Sequence, residues 1–144
     1  MERLKSEVLI RNPWHVYRRD RVRRRDGSEG DYFYIDHRAS VAVVAAFPDG
    51  SVLVQRCFRY LLGRRLHQLV LGHTDPAADQ AEEAARELRE ETGFEAREMT
   101  LLGRYTPMSG LCNEVGSVFL ARELVPGPPR LDATEELEVL RLPR

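Results

Sequence analysis

Residues 76–92, "PAADQAEEAARELREET", constrain the fold of this chain more than any other stretch. Ala77, Ala81, Ala84, Ala85 and Leu88 recur at helical spacing and make one narrow apolar stripe. Such small side chains imply a helix packed closely on a sheet. The pattern predicts a helix from Pro76 to Thr92, with Asp75 as N-cap, proline in the first turn and Gly93 as the C-terminal stop. Its last turns carry Glu87, Glu90 and Glu91. Residues three and four apart are neighbours on a helix surface, and like charges so placed repel. These glutamates are expected mostly off the alanine stripe, toward solvent or a cleft.

The remainder reads mainly as strands. "WHVYRRDRVRRR", the turn "DGSEG" and "DYFYIDH" form one strand pair. "SVAVVAAF" is a nearly continuous apolar run, and "PDG" turns it into "SVLVQRCFRY" as its hairpin partner. "HQLVL" is another short apolar segment. After the helix come "MTLLGRYTP", the loop "MSGLCNE", the strand "GSVFLAREL", the turn "PGPPR" and a last strand "ELEVLRLP". Many strands with one helix of this kind predict an α+β or layered α/β domain.

The length of 144 residues suits one domain, and 42% hydrophobic residues allow a real core. Lys+Arg is 22 and Asp+Glu is 23, a net charge of -1, which gives no global push toward nucleic acid or membrane. "RRDRVRRR" lacks aromatic interleaving and reads as a solvated strand face, so no nucleic-acid partner is expected. No run approaches the roughly 20 apolar residues of a membrane span, and the start has no long apolar core of a signal peptide. Cys57 and Cys112 fit reduced thiols of a cytoplasmic protein better than a disulfide scaffold or a zinc site. His15, His37, His67 and His73 show no metal-ligand spacing.

Clustered carboxylates require a compensating charge. Oxygen ligands suit Mg²⁺ or Mn²⁺, and such an ion can bridge a pyrophosphate and activate water. The alternative from composition alone is a solvated helix face, with Arg86 and Arg89 screening the acids.

The order of the residues resembles the Nudix box, G-x₅-E-x₇-R-E-U-x-E-E-x-G-U, in which U is aliphatic or aromatic. Gly72, Arg86, Glu87, Leu88, Glu90, Glu91, Gly93 and Phe94 fall on its positions without a gap, and the first box glutamate falls on Ala78. "SVAVVAAFPDGSVLVQRCFRY", with its Arg56-Cys57-Phe58-Arg59-Tyr60 run, is similar to the strand pair of the ADP-ribose pyrophosphatase branch. "PMSGLCNE" resembles that branch's loop after the box, "NPWHVYRRDRV" its N-terminal β extension, and "EELEVLRLP" the strand before its last helix.

The resemblance implies an α/β/α sandwich with a mixed sheet and the box helix, in a single domain with residues 1–38 as β extension and 39–144 as core. It implies Mg²⁺- or Mn²⁺-dependent hydrolysis of a nucleoside diphosphate linked to a further group, with ADP-ribose or another nucleotide sugar as substrate. Glu87 and Glu91 resemble the principal metal ligands, and Glu90 a third ligand or water-orienting base. Leu71 stands where the family offers a backbone carbonyl to metal. Arg86 resembles the arginine that orients a glutamate. Glu114, on a loop with Gly110, resembles a mobile-loop general base. Arg56 and Arg59 are candidates for phosphate, Gly110 for substrate contact and Trp14 for stacking on a base.

The departures cluster. Gln68 replaces a glutamate that usually leads into the box, and Ala77-Ala78 replaces Gly-Glu. Both changes remove negative charge and are expected to weaken divalent-ion binding. Two other readings follow: a nucleotide-binding module with weakened catalysis, or a Nudix hydrolase of nucleoside triphosphates or dinucleoside polyphosphates. The chain stops just after the last expected strand, where relatives continue into a second helix. Either a dimer partner or the N-terminal strands cover that face, or it is partly open; of these a homodimer is the favoured expectation.

Overall fold

The computed structural model describes residues 1–130 and 137–144. The chain forms two compact units, Met1–Arg38 with Thr106–Val115, and Ala39–Tyr105 with Gly116–Arg144.

The first unit is an antiparallel sheet of β1 (Glu2–Arg11), β2 (Val16–Arg23) and β3 (Glu29–Asp36), in that order. Only the second and third strands are expected from the sequence; β1 is an addition. The basic tract lies on β2, where its arginines meet acids of both neighbours. Arg19 bonds Glu7 at 2.7 Å, Arg23 bonds Glu2 at 3.0 Å and Arg18 bonds Asp36 at 2.6 Å. Segment Thr106–Val115 is fastened to β3: Ile35 N–H donates to Leu111 O at 2.9 Å, and Asn113 Nδ2 donates to Asp36 Oδ1 at 2.7 Å.

The second unit holds β4 (Ala39–Ala45), β5 (Val52–Arg59), a 3₁₀ turn (Tyr60–Leu62), β6 (Arg64–Gln68), β7 (Val70–Thr74), α1 (Gln80–Thr92), β8 (Phe94–Tyr105), β9 (Gly116–Pro126) and β10 (Leu137–Leu142). A mixed four-stranded sheet runs β7-β4-β9-β8, with β4 and β9 parallel. A second sheet runs β10-β5-β6. Among the described residues α1 is the sole α-helix, and it packs against β7, β8 and β4. The core joins Val41, Val43 and Ala45 of β4, Val70, Phe119 and Ala121 to Leu53 of β5 and to Ala84 and Leu88 of α1. Of the expected last strand, Glu135 and Glu136 lie outside the described residues.

Two local expectations need correction. The turn at "PDG" forms, with Phe47 N–H donating to Ser51 O at 2.9 Å and Gly50 N–H to Phe47 O at 2.9 Å. β5 nevertheless leaves β4 after one bridge, Ala46 to Val52, and pairs with β6 and β10 in the other sheet. The helix starts at Gln80, not Pro76. Asp79 is its N-cap, accepting from Ala81 and Glu82 N–H, whereas Asp75 accepts from Ala77 N–H and closes a turn before the helix. Two aspartates four residues apart both suit a cap, and the one next to the continuous helix takes the role.

Candidate active site

Leucine and alanine burial sets the rotation of α1. Ala84 and Leu88 are fully buried, and one turn further on the same face Glu91 is 8% exposed. Glu91 thus lies on the buried stripe, not beside it. A buried carboxylate needs donors, and Gln55 of β5 donates Nε2–H to Glu91 Oε2 at 2.5 Å. Gln55 shares the inward face of its strand with buried Leu53 and Cys57.

The end of α1 is pinned three ways. Gly93 adopts φ 77 and donates to Arg89 O. Thr92 Oγ1 donates to Leu88 O at 2.6 Å. Arg130 N–H donates to Glu90 O at 2.7 Å. These bonds satisfy carbonyls that a helix terminus leaves open.

Leu71, Gly72 and His73 of β7, Arg86, Glu87, Glu90 and Glu91 of α1, and Arg130 line one cleft of about 250 Å³. Gly72 permits the closeness of strand and helix. A Cβ there would lie 2.2 Å from Glu87 Cδ and 2.3 Å from its Cγ. Arg86 is the cation of the helix face: it meets Glu90 at 2.5 Å, Glu87 at 2.6 Å and Glu83 at 2.9 Å. Its proton is held more tightly than in a free guanidinium, first through the hydrogen bond to Glu83. Burial pushes Glu87 above the ordinary glutamate range, and the neighbouring Arg86 does not fully offset that burial.

The sequence candidates divide by location. Glu87, Glu90, Glu91, Arg86 and Leu71 meet in the cleft. Arg56 and Arg59, on β5, are not among its lining residues; Arg56 pairs with Glu138 at 3.3 Å, and Arg59 donates to Gln68. Trp14, Gly110 and Glu114 belong to the first unit. Trp14 is 77% exposed at the β1–β2 turn, which Asn12 organises by accepting from Trp14 and His15 N–H. Gly110 O accepts from Tyr32 Oη at 3.2 Å, and Glu114 lies 3.6 Å from His37 Nδ1. Glu83, Gln55, His73 and Arg130 escaped the sequence reading as site residues. Helical spacing from Arg86 could have found Glu83, and the period of two along β5 could have found Gln55. Nothing in the sequence marks Arg130, which reaches the cleft only through tertiary packing.

Residues 36–143 match the NUDIX domain family. The chain belongs to the Nudix family. Residues 1–35 match the nucleoside diphosphate sugar hydrolase N-terminal domain. The chain is 34% identical over 124 residues to the ADP-ribose pyrophosphatase of Mycobacterium tuberculosis (strain ATCC 25618 / H37Rv), covering 85% of this chain and 60% of that protein. It is 31% identical over 110 residues to the ADP-ribose pyrophosphatase of Bacillus subtilis (strain 168), covering 75% of this chain and 60% of that protein. It thus spans about 60% of the length of these two curated relatives. A crystal structure of an ADP compounds hydrolase has the same fold, with a TM-score of 0.87 and 22% identity over 99% of this chain and 79% of the other. Within the Nudix family the chain is thus similar to two proteins named ADP-ribose pyrophosphatase. Among the described residues, no helix is long and apolar enough to cross a membrane.

Proposed function

We propose that this site hydrolyses the pyrophosphate bond of a nucleoside diphosphate linked to a further group, with Mg²⁺ or Mn²⁺ as cofactor and ADP-ribose or another nucleotide sugar as substrate. The observation that carries the reading is the cleft where Glu87, Glu90 and Glu91 meet Leu71 and Gly72. Its carboxylate and carbonyl donors are oxygens, which fit a hard divalent cation, and burial raises the pKa of Glu87 even with Arg86 2.6 Å away. The names of the two curated relatives support the choice of substrate.

In this reading Glu87 and Glu91 are the principal ligands, Glu90 a third ligand or the base that orients water, and Leu71 a backbone-carbonyl ligand. A bound divalent ion supplies charge neutralisation at the pyrophosphate and a more acidic water. Arg86 holds Glu87 and Glu90 by forked hydrogen bonds, so their oxygens have fixed directions. Glu114 is assigned the general base, Trp14 the stacking surface, and Arg56, Arg59 and Gly110 contacts to substrate.

The test is release of AMP from ADP-ribose with Mg²⁺ and with Mn²⁺, beside a Glu91→Gln control. Metal-dependent turnover that disappears in the control is the expected result. A second reading, a nucleotide-binding module, is favoured by Ala78, whose methyl group stands where the box has a carboxylate. It predicts no turnover while ADP-ribose still raises the melting temperature. Turnover confined to nucleoside triphosphates or dinucleoside polyphosphates would instead move the substrate assignment within the family.

A further inference from the structure

Behind Glu91 runs a directed chain of side-chain hydrogen bonds. Arg59 Nη2 donates to Gln68 Oε1. Gln68 Nε2 donates to Gln55 Oε1 at 3.2 Å, and Gln55 Nε2 donates to Glu91 Oε2 at 2.5 Å. Gln55 and Gln68 face each other in the register of β5 and β6. Gln55 has no exposed surface, while Arg59 stands at the exposed outer end.

The direction follows from chemistry. A guanidinium only donates, and an ionised carboxylate only accepts. With Arg59 outside and Glu91 inside, each amide must turn its oxygen outward and its nitrogen inward. A glutamate at position 68 could accept from Arg59 but has no proton for Gln55 Oε1. Gln55 would then stand between two acceptors, and whichever way it turned, one buried contact would be oxygen against oxygen.

We propose that Gln55 is a positioning residue for Glu91, holding one carboxylate oxygen so that the other is presented to the cleft, and that Gln68 with Arg59 fixes the amide in the one orientation that can do so. The inference rests on the metal role proposed for Glu91. It also reverses the sign expected at position 68. By charge alone, Gln68→Glu tightens divalent-ion binding; through the hydrogen-bond chain it weakens it.

Mn²⁺ binding to the intact chain, followed by electron paramagnetic resonance, separates these effects, with melting curves checking the fold. Gln55→Met is expected to lower Mn²⁺ affinity about 10-fold, the lower range for removing a group that orients a metal ligand. Gln68→Glu is expected to weaken binding in the parent, yet leave it unchanged or tighter when Gln55→Met is already present. Unchanged affinity in a folded Gln55→Met, or tightening by Gln68→Glu in both backgrounds, overturns the positioning role. Binding lost in Glu91→Gln but kept in Gln55→Met overturns that role alone. No Mn²⁺ binding by the parent overturns the metal reading and this inference with it. Should Gln55→Met not fold, Gln68→Glu and Gln68→Met decide: the chain of hydrogen bonds requires both to weaken binding, and tightening by Gln68→Glu refutes it.

Discussion

Glu87 has its side chain against the backbone of Gly72, and neither residue can change without the other feeling it. In Gly72→Ala the new methyl would sit 2.2 Å from Glu87 Cδ, so the carboxylate must leave its place. We expect Mn²⁺ affinity to fall by roughly 10-fold, with Tm changed little because the displaced group borders a cleft; wild-type affinity would show that Glu87 is not a ligand. Burial also raises the pKa of Glu87. The folded state then binds the proton more tightly than the unfolded chain, so metal-free stability falls as pH rises above the ordinary glutamate value of 4.5. Glu87→Gln removes this penalty. In EDTA its Tm relative to the parent's should rise with pH above 4.5, because the parent takes on a buried charge there and the variant does not. A constant difference across that range would refute the assignment. The glutamates and Arg86 were legible because a helix converts sequence spacing directly into neighbourhood. The period of two along β5 places Gln55 on the inward face, but its role becomes visible only once the Glu91 carboxylate is packed against it.

At the scale of elements, local chemistry predicted ends and turns better than pairings. The C-terminus of α1 falls at Gly93 as expected, because φ 77 is a conformation that L side chains resist. A Cβ there would also meet Gly127 O at 2.3 Å. Gly93→Ala should therefore cost at least about 2 kcal/mol, combining left-handed strain with a clash against backbone; a loss within experimental error in urea denaturation would refute the geometry. The N-terminus differs from expectation by four residues, and the two aspartates separate the alternatives. Asp79→Ala should lose about 1 kcal/mol, as for other N-caps, and Asp75→Ala distinctly less. The reverse order would restore the earlier helix start. The turn at Phe47–Ser51 was legible from "PDG", but its strands part into different sheets. Turn chemistry specifies the reversal, whereas the destination of β5 is set by long-range partners: Gln68 and Leu66 on β6, Val139 and Leu137 on β10. Arg141 adds a further fastening for β10, stacking 3.8 Å over Phe47 and bonding Asp49 at 2.6 Å.

For the molecule as a whole, the sequence showed the α/β class and the family more readily than the full strand inventory. β1 escaped because all of it except Glu7 is exposed, so it carries no alternation of buried and exposed side chains. Its partnership is written in charges that become pairs only once Arg19 and Arg23 lie opposite Glu7 and Glu2. Surface pairs of this kind contribute little each, and the cleft lies in the other unit, so the metal reading makes a claim about one unit specifically. A ligand that binds only the folded state stabilises it by RT ln(1 + [L]/Kd), about 2.7 kcal/mol at 100 times Kd. For a chain of this size that is roughly 8 °C in Tm. Mn²⁺ should produce such a shift in the parent and little or none in Glu91→Gln. Hydrogen exchange should locate its origin, with added protection in Gln80–Thr92 and Val70–Thr74, the segments that supply the oxygen donors. Protection gained only within Met1–Arg38, or a Tm shift that survives Glu91→Gln, would place the ion elsewhere and leave Arg86 as the counter-charge of Glu87 and Glu90.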